Sequence, residues 1–200
     1  MIINLLRLVA PAALAAASAS VSLSPKGTLT VDGDSTLHRW SETCAAVQID
    51  VQPPAGGDLA ATARSGSLSG LTVRVPLSEL KSHESGMDKN MRAAMKAGKF
   101  PEVVFKVSHY TLGPAADGKT PVAADGDLTI SGTTKPAAIK GTLRFSADGM
   151  RLSGSYPLKM SDFGVTPPTL MFGTIKVRDE VTVRFDLVLP SALTQTSSLH

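Results

Sequence analysis

The residues most able to do chemistry are four histidines, and their spacing argues against a metal or catalytic centre. His38, His83, His109 and His200 are spread along the chain, and none has the spacing of a metal-binding motif. Glu84 follows His83 directly, but without a second His or Cys nearby this pair is typical of a solvated loop. The histidines therefore predict no metal site.

Short strings that resemble catalytic motifs also lack their partners. Ser78 to Lys81 fits a Ser-x-x-Lys pattern, but the Ser-Asp-Asn and Lys-Thr-Gly strings that accompany it in penicillin-interacting enzymes are missing. The single cysteine, Cys44, excludes an internal disulfide and is more typical of a small buried side chain than of a reactive thiol. We therefore expect no catalytic residues, and a protein that is not an enzyme and requires no cofactor.

The beginning of the chain has the features of an export signal. Residues 1–19 combine Arg7, an apolar stretch from Leu8 to Ala17 and a small-residue end at Ala19. We expect cleavage near Ala19, which leaves one domain over residues 20–200. The net charge of +3 and the mixing of basic with acidic residues do not favour binding to nucleic acid.

The last long apolar run sets the expected architecture. From Ile175 to Leu189, apolar residues fall on odd positions and charged or polar residues on even ones, which is the period of a β-strand. Asp179 breaks the apolar register and predicts a bulge or bend. A strand this long is better suited to a curled, closing sheet than to a flat one.

The rest of the chain predicts seven more strands and one helix. Strand patterns occupy 27–32, 36–51, 71–76, 103–107, 127–131, 139–145 and 152–158, joined mostly by short turns. The apolar spacing of Met87, Met91 and Met95 indicates an amphipathic helix that begins near Ser85 or Asp88 and stops at Gly98. The fold predicted is all-β: an eight-stranded antiparallel lipocalin-like barrel with one short helix between strands 3 and 4, an Ig-like sandwich being the alternative. Gly141 and Gly154 on apolar registers favour a cavity inside it.

Four segments resemble the YceI family of polyisoprenoid-binding, lipocalin-like periplasmic proteins. They are VDGDSTLHRW (31–40), GMDKNMRAAMKAGKFPEVVFK (86–106), LTISGTTKP (128–136) and SDFGVTPPTLMFGTIKVRDEVTVRFDLVL (161–189). The resemblance implies a periplasmic location and an apolar tunnel for an isoprenoid chain, either a polyprenol or an isoprenoid quinone. The chain departs from the commoner pattern around the helix, where it has Met87-Asp88-Lys89-Asn90.

Candidate tunnel-wall residues occupy the apolar registers of the strands and the apolar face of the helix. They are Leu71, Val73, Met91, Met95, Phe105, Val107, Ile130, Leu143, Phe145, Tyr156, Val183 and Phe185. The alternative is that they form an ordinary core. The methionines could form a soft lid or simply pack the helix on the barrel, while Arg92, Lys96 and Lys99 are on the opposite side of the helix, either solvated or available for a transient membrane-surface contact.

Three functions follow. The first is non-enzymatic binding, storage or transport of an isoprenoid lipid. The second is an accessory or enzyme that acts on a bound quinone, with His38 or His109 handling protons. The third is a filled barrel that serves as a protein interaction module. A homodimer is compatible with all three.

Overall fold

The computed structural model describes residues 20–54, 56–147, 149–170 and 174–193, so the predicted signal segment 1–19 lies outside the described residues. These ranges contain eleven strands: β1 Val21–Leu23, β2 Lys26–Ser35, β3 Arg39–Cys44, β4 Gln48–Val51, β5 Thr72–Pro76, β6 Glu102–Leu112, β7 Thr120–Ile130, β8 Thr133–Ser146, β9 Gly149–Lys159, β10 Thr169–Leu170 and β11 Ile175–Leu189. The helices are α1 Leu59–Arg64 and α2 Ser85–Ala94, with a 3₁₀ turn at Met160–Phe163.

The strands form one curled antiparallel sheet in the order β1-β4-β5-β6-β7-β8-β9-β11-β2-β3, with β10 paired to β11. One N-terminal segment joins its two sides, because β1 pairs with β4 (Val21 opposite Val51) and β2 pairs with β11 (Val31 opposite Val183). The predicted all-β, lipocalin-like class is confirmed, and the eleven strands exceed the predicted eight.

The largest departure from the predicted strands concerns residues 36–51. The sequence predicts one strand there, whereas the structure has β3 and β4, separated at residues 45–47. β3 forms a hairpin with β2, while β4 pairs with β1 and β5 on the other side of the sheet. The chain must therefore break its hydrogen-bond ladder here to change neighbours, which alternation alone cannot reveal.

The final strand has the bounds and the irregularity that the sequence predicts. In the pairing of β11 with β2, Val177 lies opposite Ser35 and Val181 lies opposite Gly33. The chain therefore advances four residues in β11 for two in β2, and the bulge that results contains Asp179. The Asp179 carboxylate accepts hydrogen bonds from the backbone N–H (2.7 Å) and hydroxyl of Ser161, which hold the 3₁₀ turn against the bulge.

The two helices lie at opposite ends of the curled sheet. α2 begins at Ser85, as predicted, and ends at Ala94, four residues before Gly98. It lies near the two-residue β7–β8 turn, where Ser131 Oγ donates a 2.6 Å hydrogen bond to the Met95 carbonyl. The sequence prediction missed α1, which packs near the β8–β9 turn through Leu59 and Ala63 against Met150. No helix in the described ranges is long and apolar enough to cross a membrane.

Candidate functional site

A cavity of about 710 Å³ lies inside the curled sheet, between the two helices. Its wall consists of inward side chains from the strands and from one face of α2. The volume is within the range of about 300 to 1,000 Å³ that small-molecule sites occupy. The interior can therefore hold a ligand whose surface is mostly apolar.

Most of the predicted wall residues meet at this cavity. Those that line it are Leu71, Val73, Met91, Met95, Phe105, Val107, Ile130, Leu143, Tyr156, Val183 and Phe185. Phe145 is the exception. It packs in the cluster that contains α1, and the Arg64 guanidinium lies 4.3 Å from its ring centroid. The inward register continues to Phe145, but α1 covers that end of the sheet, so the side chain contacts the helix and not the cavity.

Several inward apolar side chains keep accessible surface although they point into the barrel. Val73, Val183 and Phe185 are only half-buried, and each of them lines the cavity. A residue in a close-packed core would have lost this surface to its neighbours. These side chains can therefore gain apolar contacts when a ligand fills the space beside them.

The two glycines on apolar registers act differently from each other. Gly141 and Gly154 are directly opposite in the β8–β9 pairing, and Gly141 lines the cavity. At Gly154 a Cβ would lie 2.6 Å from Cζ of Phe185 and 2.6 Å from the Lys140 carbonyl oxygen. Gly154 therefore makes room for the Phe185 ring, which is itself part of the cavity wall.

The methionine face of α2 borders the cavity, as the helical spacing predicts. Met87, Met91 and Met95 all line it. Lys96 and Lys99 are exposed, whereas Arg92 is half-buried and its Nη1 is buried with no hydrogen-bond partner among the described residues. Arg92 therefore does not belong to a simple solvated face.

The sequence analysis missed the main polar feature of the wall, Glu42. Its side chain lines the cavity, the residue is 1% exposed, and Oε1 has no hydrogen-bond partner within the described part of the chain. A signal was present: Glu42 lies between Trp40 and Cys44 on one face of β3, so an alternating strand places it inward. A buried carboxyl oxygen without a hydrogen-bond partner is unusual enough to make Glu42 a candidate functional residue.

The surroundings of Glu42 favour its neutral form. The pKa of this carboxyl is raised to about 7, mainly by burial and in part by the nearby charge of Asp88, while the charge of Arg92 opposes both. Asp88 is itself held as an anion. Its Oδ1 accepts hydrogen bonds from the Ser82 hydroxyl (2.6 Å) and backbone N–H (2.8 Å), which lower the pKa of Asp88. At neutral pH a large fraction of Glu42 therefore carries a proton and can donate a hydrogen bond.

The histidines are not brought together. His38 lines the cavity, with Nδ1 2.8 Å from the Arg39 carbonyl oxygen. His109 does not line it; Nε2 lies 3.2 Å from Asp125 Oδ2 in an exposed pair. Across the described ranges no three His, Cys, Asp or Glu residues form a group that could hold a metal ion.

The α1 end of the cavity is fixed by Tyr110. Its hydroxyl donates a hydrogen bond to the Ala63 carbonyl (3.2 Å) and accepts one from the Leu68 N–H (3.2 Å). Burial raises the pKa of this phenol, with the Leu68 N–H opposing it. Tyr110 therefore ties β6 to the last turn of α1 and to the segment that follows it.

Comparison with solved structures finds the same fold at low sequence identity. BcnA of Burkholderia cenocepacia is similar with a TM-score of 0.63 and 17% identity, over 81% of this chain and 95% of that one. A polyisoprenoid binding domain from Saccharophagus degradans has a TM-score of 0.61 and 12% identity, over 85% and 97%. The YceI protein of Campylobacter jejuni has a TM-score of 0.52 and 16% identity, over 74% and 82%.

A search of curated proteins gave no match. The YceI-like domain family, by contrast, matches residues 14–189, which is most of the 200-residue chain. The chain therefore belongs to the YceI family.

Proposed function

We propose that this protein binds an isoprenoid lipid in the cavity and acts as a carrier or reservoir without catalysing a reaction on it. The observation that carries the proposal is the apolar cavity of about 710 Å³ that the sheet and α2 border. The fold similarity to a polyisoprenoid binding domain supports the same ligand class. Because residues 1–19 have the features of an export signal, we also propose that binding takes place in the periplasm.

The size and chemistry of the cavity suit a prenyl chain. At about 30 Å³ per heavy atom, the share of a water molecule in the liquid, this volume holds roughly 24 heavy atoms, or four to five isoprene units. Each buried CH₂ contributes about 0.8 kcal/mol, so some twenty carbons gain on the order of 16 kcal/mol before the costs of association. The tail needs no directional contact to bind.

The proposal is tested by placing a large side chain on the cavity face of one strand. The same substitution on the outer face of that strand is the control. Ala124 lines the cavity from β7, and its neighbour Ala123 points to the other face. We expect Ala124→Trp to lower the affinity for geranylgeraniol by about tenfold or more, because the indole occupies ligand space. Ala123→Trp should bind as the unaltered chain does, with affinities measured by calorimetry because each variant carries a second tryptophan besides Trp40.

The same preparations are extracted with organic solvent and analysed by mass spectrometry. A stoichiometric isoprenoid in the unaltered chain and in Ala123→Trp, but not in Ala124→Trp, would support binding in the cavity. Equal binding by the two variants, or no binding of any isoprenoid by the unaltered chain, would refute the proposal.

The position of His38 keeps a second function open, that of acting on a bound quinone, since this histidine lines the cavity. His109, the other histidine considered for this role, pairs with Asp125 and does not reach the cavity wall. A carrier should bind and release a short-chain quinone equally well after His38→Ala. Retained quinone binding with loss of a redox turnover seen in the unaltered chain would favour the second function.

A further inference from the structure

We propose that Glu42 is the head-group residue of the cavity, where it hydrogen-bonds an uncharged oxygen of the isoprenoid, either a hydroxyl or a carbonyl. This inference rests on the proposed isoprenoid binding and deepens it, because it assigns the polar end of the ligand. The YceI-like resemblance leaves that end open, since the chain departs from the commoner pattern around α2.

The placement of Glu42 carries the inference. Glu42 is one of the residues that line the cavity, the residue is 1% exposed, and its Oε1 is buried without a hydrogen-bond partner in the described ranges, so a ligand meets this oxygen when the side chain turns toward the cavity. The other carboxyl in the wall, Glu84, is exposed and can be satisfied by water. An unpaired buried polar atom is unfavourable, so a ligand that pairs with it recovers a hydrogen bond that the protein alone does not make.

The charges around Glu42 select the type of head group. Asp88 lies close enough to act on Glu42 through its charge, and it is an anion held by Ser82. Arg92 is the opposing cation, and it does not line the cavity. A phosphorylated head would bring further negative charge beside the carboxyl groups of Glu42 and Asp88, and the cation that acts on Glu42 is not in the cavity wall. A hydroxyl or carbonyl oxygen avoids this repulsion and accepts a hydrogen bond from the O–H of the neutral Glu42 carboxyl.

The test compares three C20 isoprenoids that differ only at the head: geranylgeraniol, geranylgeranyl monophosphate and the tetraene hydrocarbon in which hydrogen replaces the hydroxyl of geranylgeraniol, each delivered from cyclodextrin. A geranyl-tailed benzoquinone serves as the carbonyl arm. We expect the unaltered chain to bind the alcohol about tenfold more tightly than the hydrocarbon and more tightly than the phosphate.

Two substitutions of Glu42 separate hydrogen bonding from packing. Glu42→Leu removes the polar group and should bring alcohol and hydrocarbon to equal affinity, while hydrocarbon binding stays the same or improves. Glu42→Gln keeps a donor and an acceptor and should retain most of the preference. Circular dichroism and thermal unfolding check that each variant is folded. If Glu42→Leu does not fold, Glu42→Gln, which is the milder change, still allows the test.

The outcomes distinguish the two proposals. Equal binding of alcohol and hydrocarbon by the unaltered chain, or a preference that survives Glu42→Leu, overturns the head-group assignment while tail binding stands. Tighter binding of the phosphate, abolished by Arg92→Gln, overturns it in favour of an anionic head. Failure of all four probes to bind overturns isoprenoid binding itself, and the head-group assignment with it.

Discussion

Replacement of Glu42 by Gln should remove a fall in stability that the unaltered chain shows as the pH rises. The carboxyl has its ordinary pKa of 4.5 in the unfolded chain and about 7 in the fold, with burial the main cause. Between these values the unfolded chain releases a proton that the folded chain keeps, so the free energy of unfolding decreases with increasing pH. The contribution is complete below pH 4.5 and is lost as the pH passes through 7.

The magnitude follows from the difference between the two pKa values. The interval of about 2.5 (7 − 4.5) at 1.36 kcal/mol for each pH unit gives about 3 kcal/mol between acid and neutral conditions. Glu42→Gln cannot ionise, so this component should vanish. Carboxyls with lowered pKa values, such as Asp88 and Asp186, lose their stabilising effect only at pH values below this window.

The assay is urea unfolding at about pH 5, 6, 7 and 8, followed by the fluorescence of Trp40, the single tryptophan. The control variant is Glu180→Gln, which removes an acid whose side chain is 80% exposed. The stability of Glu42→Gln relative to the unaltered chain should rise by about 2 to 3 kcal/mol from pH 5 to pH 8, while that of Glu180→Gln should hardly change. A constant difference between Glu42→Gln and the unaltered chain would show that Glu42 ionises freely in the folded protein and would refute the reasoning.

Two further predictions concern packing and hydrogen bonding around the cavity. Gly154→Ala should lower stability by about 1 to 3 kcal/mol because its Cβ would overlap both Phe185 and a backbone carbonyl. The added change Phe185→Leu should restore only part of the loss, and full restoration in chemical denaturation would contradict the role of the carbonyl. Tyr110→Phe should cost about 1 to 3 kcal/mol, since two hydrogen bonds are lost and the Leu68 N–H is left without this partner. Tyr156→Phe, which removes a hydroxyl from another tyrosine of the wall, is its control, and an equal loss in both variants would argue against the hydrogen bonds as the cause.

Long, regular patterns in the sequence predicted their elements well. The alternation from Ile175 to Leu189 gave both ends of β11, and Asp179 within it marked the bulge. The same logic brought together the inward residues that line the cavity, because strand alternation decides which face a side chain occupies. Phe145 shows where the logic stops, since alternation gives the face of the sheet but not what covers it.

Strand and helix periodicity could not predict very short elements or contacts between residues far apart in the sequence. α1 has only six residues, too few for a helical period, and its one local signal is Asp58, whose carboxylate accepts the Ala61 N–H as an N-cap. The position of Glu42 opposite α2 depends on how distant segments pack. The inward register of β3 predicts that this carboxyl is buried, but its missing partner and its neighbours Asp88 and Arg92 emerge only in three dimensions.

The N-terminal segment that joins both sides of the sheet has a consequence for folding. Val31 must pair with Val183, a residue made near the end of the chain, before the sheet can close. Contacts this distant in sequence are slow to form, because a long loop must be ordered first. Until then β4 and β11 each present an unpaired edge, and such edges are prone to pair with other chains. Substitutions that weaken β2 should therefore reduce the yield of folded protein, through aggregation during folding, more than they reduce the stability of the protein once it is folded.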